Sequence, residues 1–196
     1  MRRFTLLFLV SSAVLVVVAC SKTQAPPPSS AAVRPTSTIK DLMDSLVDPS
    51  ADALWESVAT IVSAAGTEER QPKTPEQWAD VRRKAITLIE ATNLLIMEGR
   101  HVAKPGEKAE NEEVELGPEE IEKLINEDRA TWVKNAHGLY DATMIALKAI
   151  DAKSASGLLD AGEGIDAACE ICHLKSWYPL SKQAEKAKEG AGSVKK

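Results

Sequence analysis

The chain has 196 residues, and its 24 basic and 29 acidic side chains leave a formal net charge of −5. Hydrophobic residues make up 44% of the sequence and charged residues 27%, a globular composition that excludes a mostly disordered chain. Aromatic residues contribute only 4%, and alanine, leucine, glutamate and lysine dominate, so the composition favours helices over a large β-sheet. The acidic balance argues against nucleic acid as the main partner.

The first twenty residues are typical of an export signal. Two arginines follow Met1, and residues 4–19 form an almost unbroken apolar run that is short for a membrane-spanning helix. The run ends in the string VVAC, which resembles a bacterial lipobox, whose cysteine receives diacylglycerol and becomes the new N-terminus. We predict that residues 1–19 are a lipoprotein signal peptide and that Cys20 is lipidated. An uncleaved membrane anchor with an incidental cysteine is the alternative.

Residues 20–37 are predicted to form a flexible, lipid-anchored tether. They are rich in proline and serine and contain few large apolar residues, so they cannot bury a core. In the lipoproteins that this segment resembles, an aspartate after the lipidated cysteine favours the inner membrane. Ser21 stands at that position and favours the outer membrane. The expected location is the periplasm, with the chain held to a membrane by its lipid.

Beyond the tether, apolar residues recur at helical spacing in four segments. In the first segment we expect a break at residues 48–50, because Pro49 disfavours a helix just before it and Ser50 can cap a new start. The second half of this segment is expected to continue as a helix, with one face formed by Leu54, Val58, Ile61 and Ala65.

The boundaries of the later segments follow from capping residues. Thr74 is the expected N-cap of the second segment, which stops at Gly99. A polar connection over residues 99–117 leads to the third segment, a short helix to about Asp128 followed by a longer one. The fourth segment starts near Ser154 or Ser156 and ends at residues 178–179.

These three later segments carry seams of apolar residues spaced alternately three and four apart, a pattern that packs helices against one another. The seam of the second segment is Trp78, Val81, Ala85, Leu88, Thr92 and Leu95; that of the third is Trp132, Ala136, Leu139, Thr143, Ala146 and Ile150; that of the fourth is Leu158, Gly162, Ile165, Cys169 and Cys172. Residues 38–180 are therefore predicted to form an all-α, antiparallel four-helix bundle, and residues 181–196 a disordered tail.

The string CEICH at residues 169–173 carries the clearest chemical signal. It has the C-x-x-C-H spacing of c-type haem attachment, in which two thiols add across the haem vinyl groups and the adjacent imidazole binds the iron. On a helix, Cys169 and His173 are four residues apart and Cys172 lies one turn from Cys169, so all three can face one macrocycle. We predict one haem c, bound covalently by Cys169 and Cys172, with His173 as the proximal iron ligand.

Three other interpretations of this string compete with haem. A zinc site would need two more ligands, and the sequence offers only Cys20, His101 and His137 elsewhere. A thioredoxin-like redox pair needs a βαβ setting that the pattern lacks. An inert pair of core cysteines would leave His173 without a purpose.

A helical bundle with C-x-x-C-H near the end of its last helix resembles the cytochrome c prime group, the class II c-type cytochromes. The resemblance covers residues 38–180 in architecture, and its specific string is residues 169–173 followed by Trp177 and Tyr178, the candidate haem contacts. The family has a basic residue four positions after the ligand histidine, where this chain has Trp177. The resemblance also implies a homodimer.

The resemblance implies that the first helix supplies the residue on the distal side of the iron. Met43 is the candidate distal ligand, because a thioether opposite histidine favours electron transfer and raises the potential. As a filler of core space, Met43 would have no role in coordination. Leu42 or Leu46 facing the iron would leave an open, five-coordinate site. More remote candidates are Met97, Met144 and His137.

The function expected from these features is that of a membrane-tethered monohaem c-type cytochrome acting in periplasmic electron transfer between redox partner proteins. The alternative is a five-coordinate haem protein that binds a small gas ligand, nitric oxide or carbon monoxide. A structural lipoprotein without haem is a third hypothesis. Nothing in the sequence pairs two carboxylates or a nucleophile with a base, so no enzymatic activity is predicted.

Overall fold

The computed structural model of the chain describes residues 33–179. The predicted signal peptide, Cys20, most of the predicted tether and the predicted tail lie outside these residues. The described chain is mostly helical, as its composition indicates, and it also contains one small two-stranded sheet that the all-α prediction lacks. Within residues 33–179, no helix combines the length and apolar character needed to cross a membrane.

The first helical stretch is continuous across the predicted break. It consists of α1 (Ile39–Leu42), a π-helical turn (Met43–Val47) and α2 (Asp48–Ser57). In the π-helical turn, the Asp48 N–H donates to the carbonyl of Met43, five residues earlier. Pro49 has no N–H to donate to the helix. The wider π-helical turn before it shifts the hydrogen-bond register, so the helix continues through the proline. Ser50 is buried within α2 and caps nothing, so the predicted break at residues 48–50 is wrong.

The predicted continuation of this helix is also wrong, because the chain forms a β-hairpin after Val58. Strands β1 (Ala59–Ser63) and β2 (Gly66–Arg70) pair antiparallel, with Ser63 opposite Gly66. Residues 60–62 are all β-branched, which favours a strand over a helix. Gly66 has a φ of 127°, a conformation that glycine adopts without steric cost. Ile61 and Ala65 are therefore exposed on the hairpin.

The remaining helices begin close to the predicted positions, and Thr74 is the N-cap that the sequence predicts. Thr74 and Ser154 each accept a hydrogen bond from a backbone N–H three residues later, and Asp128 does the same ahead of the third segment's longer helix. The short helix of that segment begins at Pro118, directly after the predicted connection. The four helices are α3 (Pro75–Leu95), α4 (Pro118–Glu127), α5 (Arg129–Asp151) and α6 (Ala155–Ser176).

The core lies where the seams predict it. Every seam residue of α3 and of α5 is buried, and α5 packs against both α3 and α6. Helix α2 packs against α3 and α6. There Trp55 lies on the glycine at position 162, and its Nε1 donates to the Gly162 carbonyl at 3.2 Å. A Cβ at Gly162 would lie 3.1 Å from the Trp55 ring, so the absence of a side chain permits this approach.

The polar connection between α3 and α4 is docked against the helices on both sides of it. Its apolar residues Val102 and Leu116 are buried. The N–H groups of Ile39 and Lys40 donate at 2.9 Å to the carbonyls of residues 101 and 102. At its other end, the Leu116 N–H donates to the Trp177 carbonyl, also at 2.9 Å. The connection thus joins the start of α1 to the end of α6.

Candidate haem site

The residues of the C-x-x-C-H string occupy the last two turns of α6. Cys169, Cys172 and His173 are all half-buried, and both thiols are free. The two cysteines pack against the hydrophobic core, together with Trp177 just after the helix. The predicted placement of both cysteines on the inward face of the last helix therefore agrees with the structure.

Both thiols are held in their protonated form. Burial raises the pKa of Cys169 to about 12, with a further contribution from the negative charge of Asp48. Burial raises the pKa of Cys172 to about 11, against a hydrogen bond with Asn135 that lowers it. A thiol–disulfide exchange pair works through a thiolate whose pKa is depressed, so these shifts run opposite to what redox chemistry of the pair requires.

A cavity of about 180 Å³, partly open to solvent, lies beside His173. Met43 reaches this cavity from the π-helical turn, and Val102, Leu116 and Ile121 contribute an apolar wall. The thiols do not line the cavity. The lining also includes Lys40, Asp48, Glu110, Glu115, Trp177 and Tyr178.

The ring of His173 is hydrogen-bonded on one nitrogen. Its Nδ1 lies 3.2 Å from the Tyr178 hydroxyl, which donates to Glu170 Oε2 at 2.8 Å. Burial lowers the pKa of His173, while the negative charges of Asp48, Glu170 and Glu115 act in the opposite direction. Burial and the hydrogen bond to Glu170 raise the pKa of Tyr178 to about 12. A neutral imidazole is the form that binds a metal, and the lowered pKa of His173 favours it.

Asp48 is one of the acidic residues that line the cavity. Incomplete solvation of its carboxyl raises its pKa, against the attraction of His173, which lowers it. In the sequence, Asp48 stood out only as part of an expected helix break. Its place on the cavity wall depends on the π-helical turn, which leaves no signal in residue spacing.

Ion pairs fasten the connection 99–117 over this end of the molecule. Lys40 Nζ lies 2.5 Å from Glu110 and 3.1 Å from Asp44, and these carboxylates raise its pKa. Lys104 Nζ lies 2.7 Å from Asp41, and this hydrogen bond is the main reason that the pKa of Asp41 falls to about 2. The exposed pairs are individually weak, but together with the buried Val102 they hold the connection against α1.

The connection is also held at its beginning. Arg100 donates to the carbonyls of Ser37 and Leu94, and its guanidinium contacts the Met97 sulfur at 3.4 Å. The carboxylate of Glu122 accepts the Val102 N–H at 3.0 Å and lies 2.9 Å from His101 Nδ1. Residue spacing gave no indication of the contacts with Ser37 and Glu122, because these residues lie far from Arg100 and Val102 in the sequence.

The remaining candidate ligands lie away from the cavity. The Met97 sulfur is engaged by Arg100, and Met144 on α5 is half-buried outside the cavity lining. His101 and His137 are exposed. Of the tryptophans, Trp177 lines the cavity, whereas Trp78 and Trp132 are buried in the core. Met43 is therefore the candidate that shares the cavity with His173.

The donor set fits haem c. Haem c takes two thiols and one imidazole from a C-x-x-C-H string. Here the two protonated thiols pack against the core, and of the three groups His173 lines the partly apolar cavity. Among residues 33–179, no three or more histidine, cysteine, aspartate or glutamate side chains are grouped as ligands for a metal ion. Sequence reasoning missed the hydrogen bond from Tyr178 to Glu170. Its signal was the presence of a carboxylate inside the string and a phenol five residues after His173.

Comparison with known proteins gives no relative for this chain. No protein-family model, curated protein or solved structure matches it.

Proposed function

We propose that this chain is a membrane-tethered monohaem c-type cytochrome that acts in periplasmic electron transfer. The main support for this proposal lies at the end of α6. There two protonated, half-buried thiols lie close in the chain to a histidine that lines a cavity. The resemblance of the string and its position to class II cytochromes c supports the same conclusion.

Each residue of the site has a separate role in this proposal. Haem c, when bound, supplies an iron centre that accepts and releases single electrons. Cys169 and Cys172 fix the porphyrin through thioethers, and His173 offers its Nε2 to the iron. Val102 and Leu116 in the docked connection exclude water from this side of the cavity.

Met43 decides between the two candidate functions. A thioether ligand from Met43 would complete six-coordination and favour electron transfer. The alternative is a five-coordinate protein that binds nitric oxide or carbon monoxide. The apolar wall formed by Val102, Leu116 and Ile121 favours this alternative, because such a wall accommodates a small uncharged diatomic molecule.

The proposed scaffold is an antiparallel four-helix bundle made of the stretch 39–57, α3, α5 and α6. Its support is the burial of the seams of α3 and α5 and the packing of α5 against both neighbours. A connection of only three residues joins α5 to α6, and helices that are joined so tightly and pack together run antiparallel.

The proposed location is the periplasm, with Cys20 carrying the lipid and Ser21 favouring the outer membrane. Support for it comes from the export signal and from the chemistry of the string, since bacteria attach haem c outside the cytoplasmic membrane. In Cys20→Ala we expect the protein to be released from the membrane without detergent. A wild-type chain that carries no diacylglycerol on Cys20 would contradict lipid anchoring through this residue.

The first experiment tests covalent attachment. The full chain is produced in a bacterium that exports and matures c-type cytochromes, and the purified protein is denatured and extracted with acidic acetone. We expect the porphyrin to stay with the chain, and to be lost from Cys169→Ser/Cys172→Ser. Cys20→Ala is the matched control, since it removes the third cysteine and should keep the haem. Free extraction of haem from the wild type would overturn the proposal.

The second experiment separates the two functions. Carbon monoxide is added to the ferrous protein and binding is followed by absorption. If Met43 ligates the iron, binding is slow or absent until Met43→Leu opens the site. Met144→Leu is the control, because Met144 lies outside the cavity. Fast binding in the wild type, unchanged in Met43→Leu, would overturn the role of Met43 and favour gas binding.

A further inference from the structure

Three polar side chains form a hydrogen-bonded chain behind the candidate iron ligand. The Tyr178 hydroxyl donates a hydrogen bond to Glu170 Oε2 at 2.8 Å. His173 Nδ1 lies 3.2 Å from the same hydroxyl oxygen. Because the phenolic proton is directed to Glu170, the oxygen faces His173 as an acceptor and the Nδ1 of His173 is the donor. This arrangement favours the Nδ1–H form of His173, with the lone pair on Nε2.

The backbone fixes this arrangement. At the end of α6, the Trp177 N–H donates to the His173 carbonyl at 2.7 Å and the Tyr178 N–H donates to the same carbonyl at 3.0 Å. These two bonds turn the chain back over the last helical turn, and the rings of His173 and Tyr178 lie with centroids 5.4 Å apart. The end of the connection adds a further bond, from the Leu116 N–H to the Trp177 carbonyl at 2.9 Å. The phenol is therefore placed by the fold.

We propose that Tyr178 and Glu170 are positioning residues that orient His173 and strengthen electron donation from its Nε2, which lowers the reduction potential of the haem. This inference rests on the proposed function, since it assigns these two residues a role toward haem c. A hydrogen bond accepted from Nδ1–H fixes the tautomer of a ligating histidine and raises its basicity. A more basic ligand stabilises ferric iron more than ferrous iron, and hydrogen bonding around the ligand is one of the protein's means of setting the potential.

The test compares Tyr178→Phe with the wild type in the haem-loaded full chain. Phenylalanine keeps the ring against His173 and removes only the hydroxyl. We expect the ferrous form to be favoured about tenfold more, which raises the midpoint potential by about 59 mV for a one-electron couple. Glu170→Ala should shift the potential in the same direction by a smaller factor. Tyr140→Phe on α5, outside the cavity lining, is the matched control and should leave the potential unchanged.

A second measurement does not depend on haem. Nitrogen-15 NMR of the histidines in the haem-free full chain reports the tautomer of His173. We expect the Nδ1–H form in the wild type and in Tyr140→Phe, and a mixture of both tautomers in Tyr178→Phe. Observation of the Nε2–H tautomer in the wild type would contradict the proposed hydrogen-bonded chain.

The outcomes separate this inference from the proposed function. A wild type without covalent haem would overturn the proposed function, while the tautomer measurement would still test the hydrogen-bonded chain. An unchanged midpoint potential in haem-loaded Tyr178→Phe would contradict the role of the hydrogen-bonded chain. It would not contradict the proposal that the protein is a cytochrome. If Tyr178→Phe does not fold, Glu170→Ala provides the test. An unchanged midpoint potential in Glu170→Ala would also contradict the role of the hydrogen-bonded chain.

Discussion

The two halves of α6 share one seam and differ in how the protein covers it. In the closed half, residues 155–168, Leu158 is 1% exposed and Ile165 is fully buried. In the open half, residues 169–176, the seam cysteines are only half-buried. Ile171, which lies outside the seam, is 60% exposed. The seam continues from one half to the other without a break in spacing.

This difference shows what a seam encodes. Spacing determines which face of a helix points inward, because the period of the helix is fixed. Whether protein atoms then cover that face depends on the neighbouring elements. Trp55 from α2 covers the closed half at Gly162, whereas a cavity lies beside the open half at His173. In our proposal, haem supplies the packing that the protein leaves out.

The largest effect is expected from haem itself. We expect the free energy of unfolding of the haem-loaded wild type to exceed that of Cys169→Ser/Cys172→Ser by about 3–5 kcal/mol. Removal of a large buried aromatic side chain has an effect of this size. Urea unfolding measures the difference, and near-ultraviolet circular dichroism should show looser packing in the variant. Cys20→Ala is the control and should match the wild type. Equal unfolding free energies would show that the open half is complete without haem.

The same small deletion should act differently in the two halves. We expect Ile165→Val to lower the free energy of unfolding by about 0.5–1.5 kcal/mol, because it removes a methylene group from a fully buried site. Ile171→Val, in the open half, should stay within about 0.5 kcal/mol of the wild type, as surface substitutions do. Urea unfolding of both variants is the measurement. A larger loss in Ile171→Val than in Ile165→Val would contradict the burial of these two positions.

Glycine substitutions test how closely α2 approaches the closed half. Alanine is more favourable than glycine inside a helix by about 0.5–1 kcal/mol, so Gly164→Ala should stabilise the protein by up to that amount. Its Cβ would lie 3.9 Å from Ala142, an ordinary contact. In Gly162→Ala the new Cβ would lie 3.1 Å from the Trp55 ring, and the gain should shrink or become a loss. Gly138→Ala is the control, with nothing within 4 Å of its Cβ. Thermal unfolding ranks the three.

The smallest effect concerns the ion pair that holds the connection over the open half. Because the pKa of Asp41 is lowered to about 2 from its ordinary value of 3.8, its contribution to stability is present above pH 3.8 and is lost as the pH falls toward 2. The wild type should therefore lose more stability than Asp41→Asn between these two pH values. The pair is exposed, so the difference should also diminish at high salt. Parallel acid unfolding curves at low salt would contradict this contribution.

The fold was predictable wherever local signals agreed. In α3 and α5, good helix formers, a regular seam and a capping residue all indicate the same helix, and every seam residue is buried. In residues 59–65, apolar spacing indicated a helix while the β-branched run 60–62 and Gly66 favoured a hairpin. Spacing alone misled there because Ile61 and Ala65 have no core to pack against. The β-branched run was the signal that should have decided.

The sequence by itself determined the string at residues 169–173, its placement on the inward face of a helix, and the caps that start α3 and α6. These depend on contacts within a few residues, which spacing records directly. Only the tertiary structure decided that Met43 and His173 line one cavity, and that the connection 99–117 is hydrogen-bonded to both α1 and the end of α6. Those contacts join residues that are far apart in the chain. Their geometry depends on a π-helical turn and on docked backbone groups, neither of which leaves a periodic pattern.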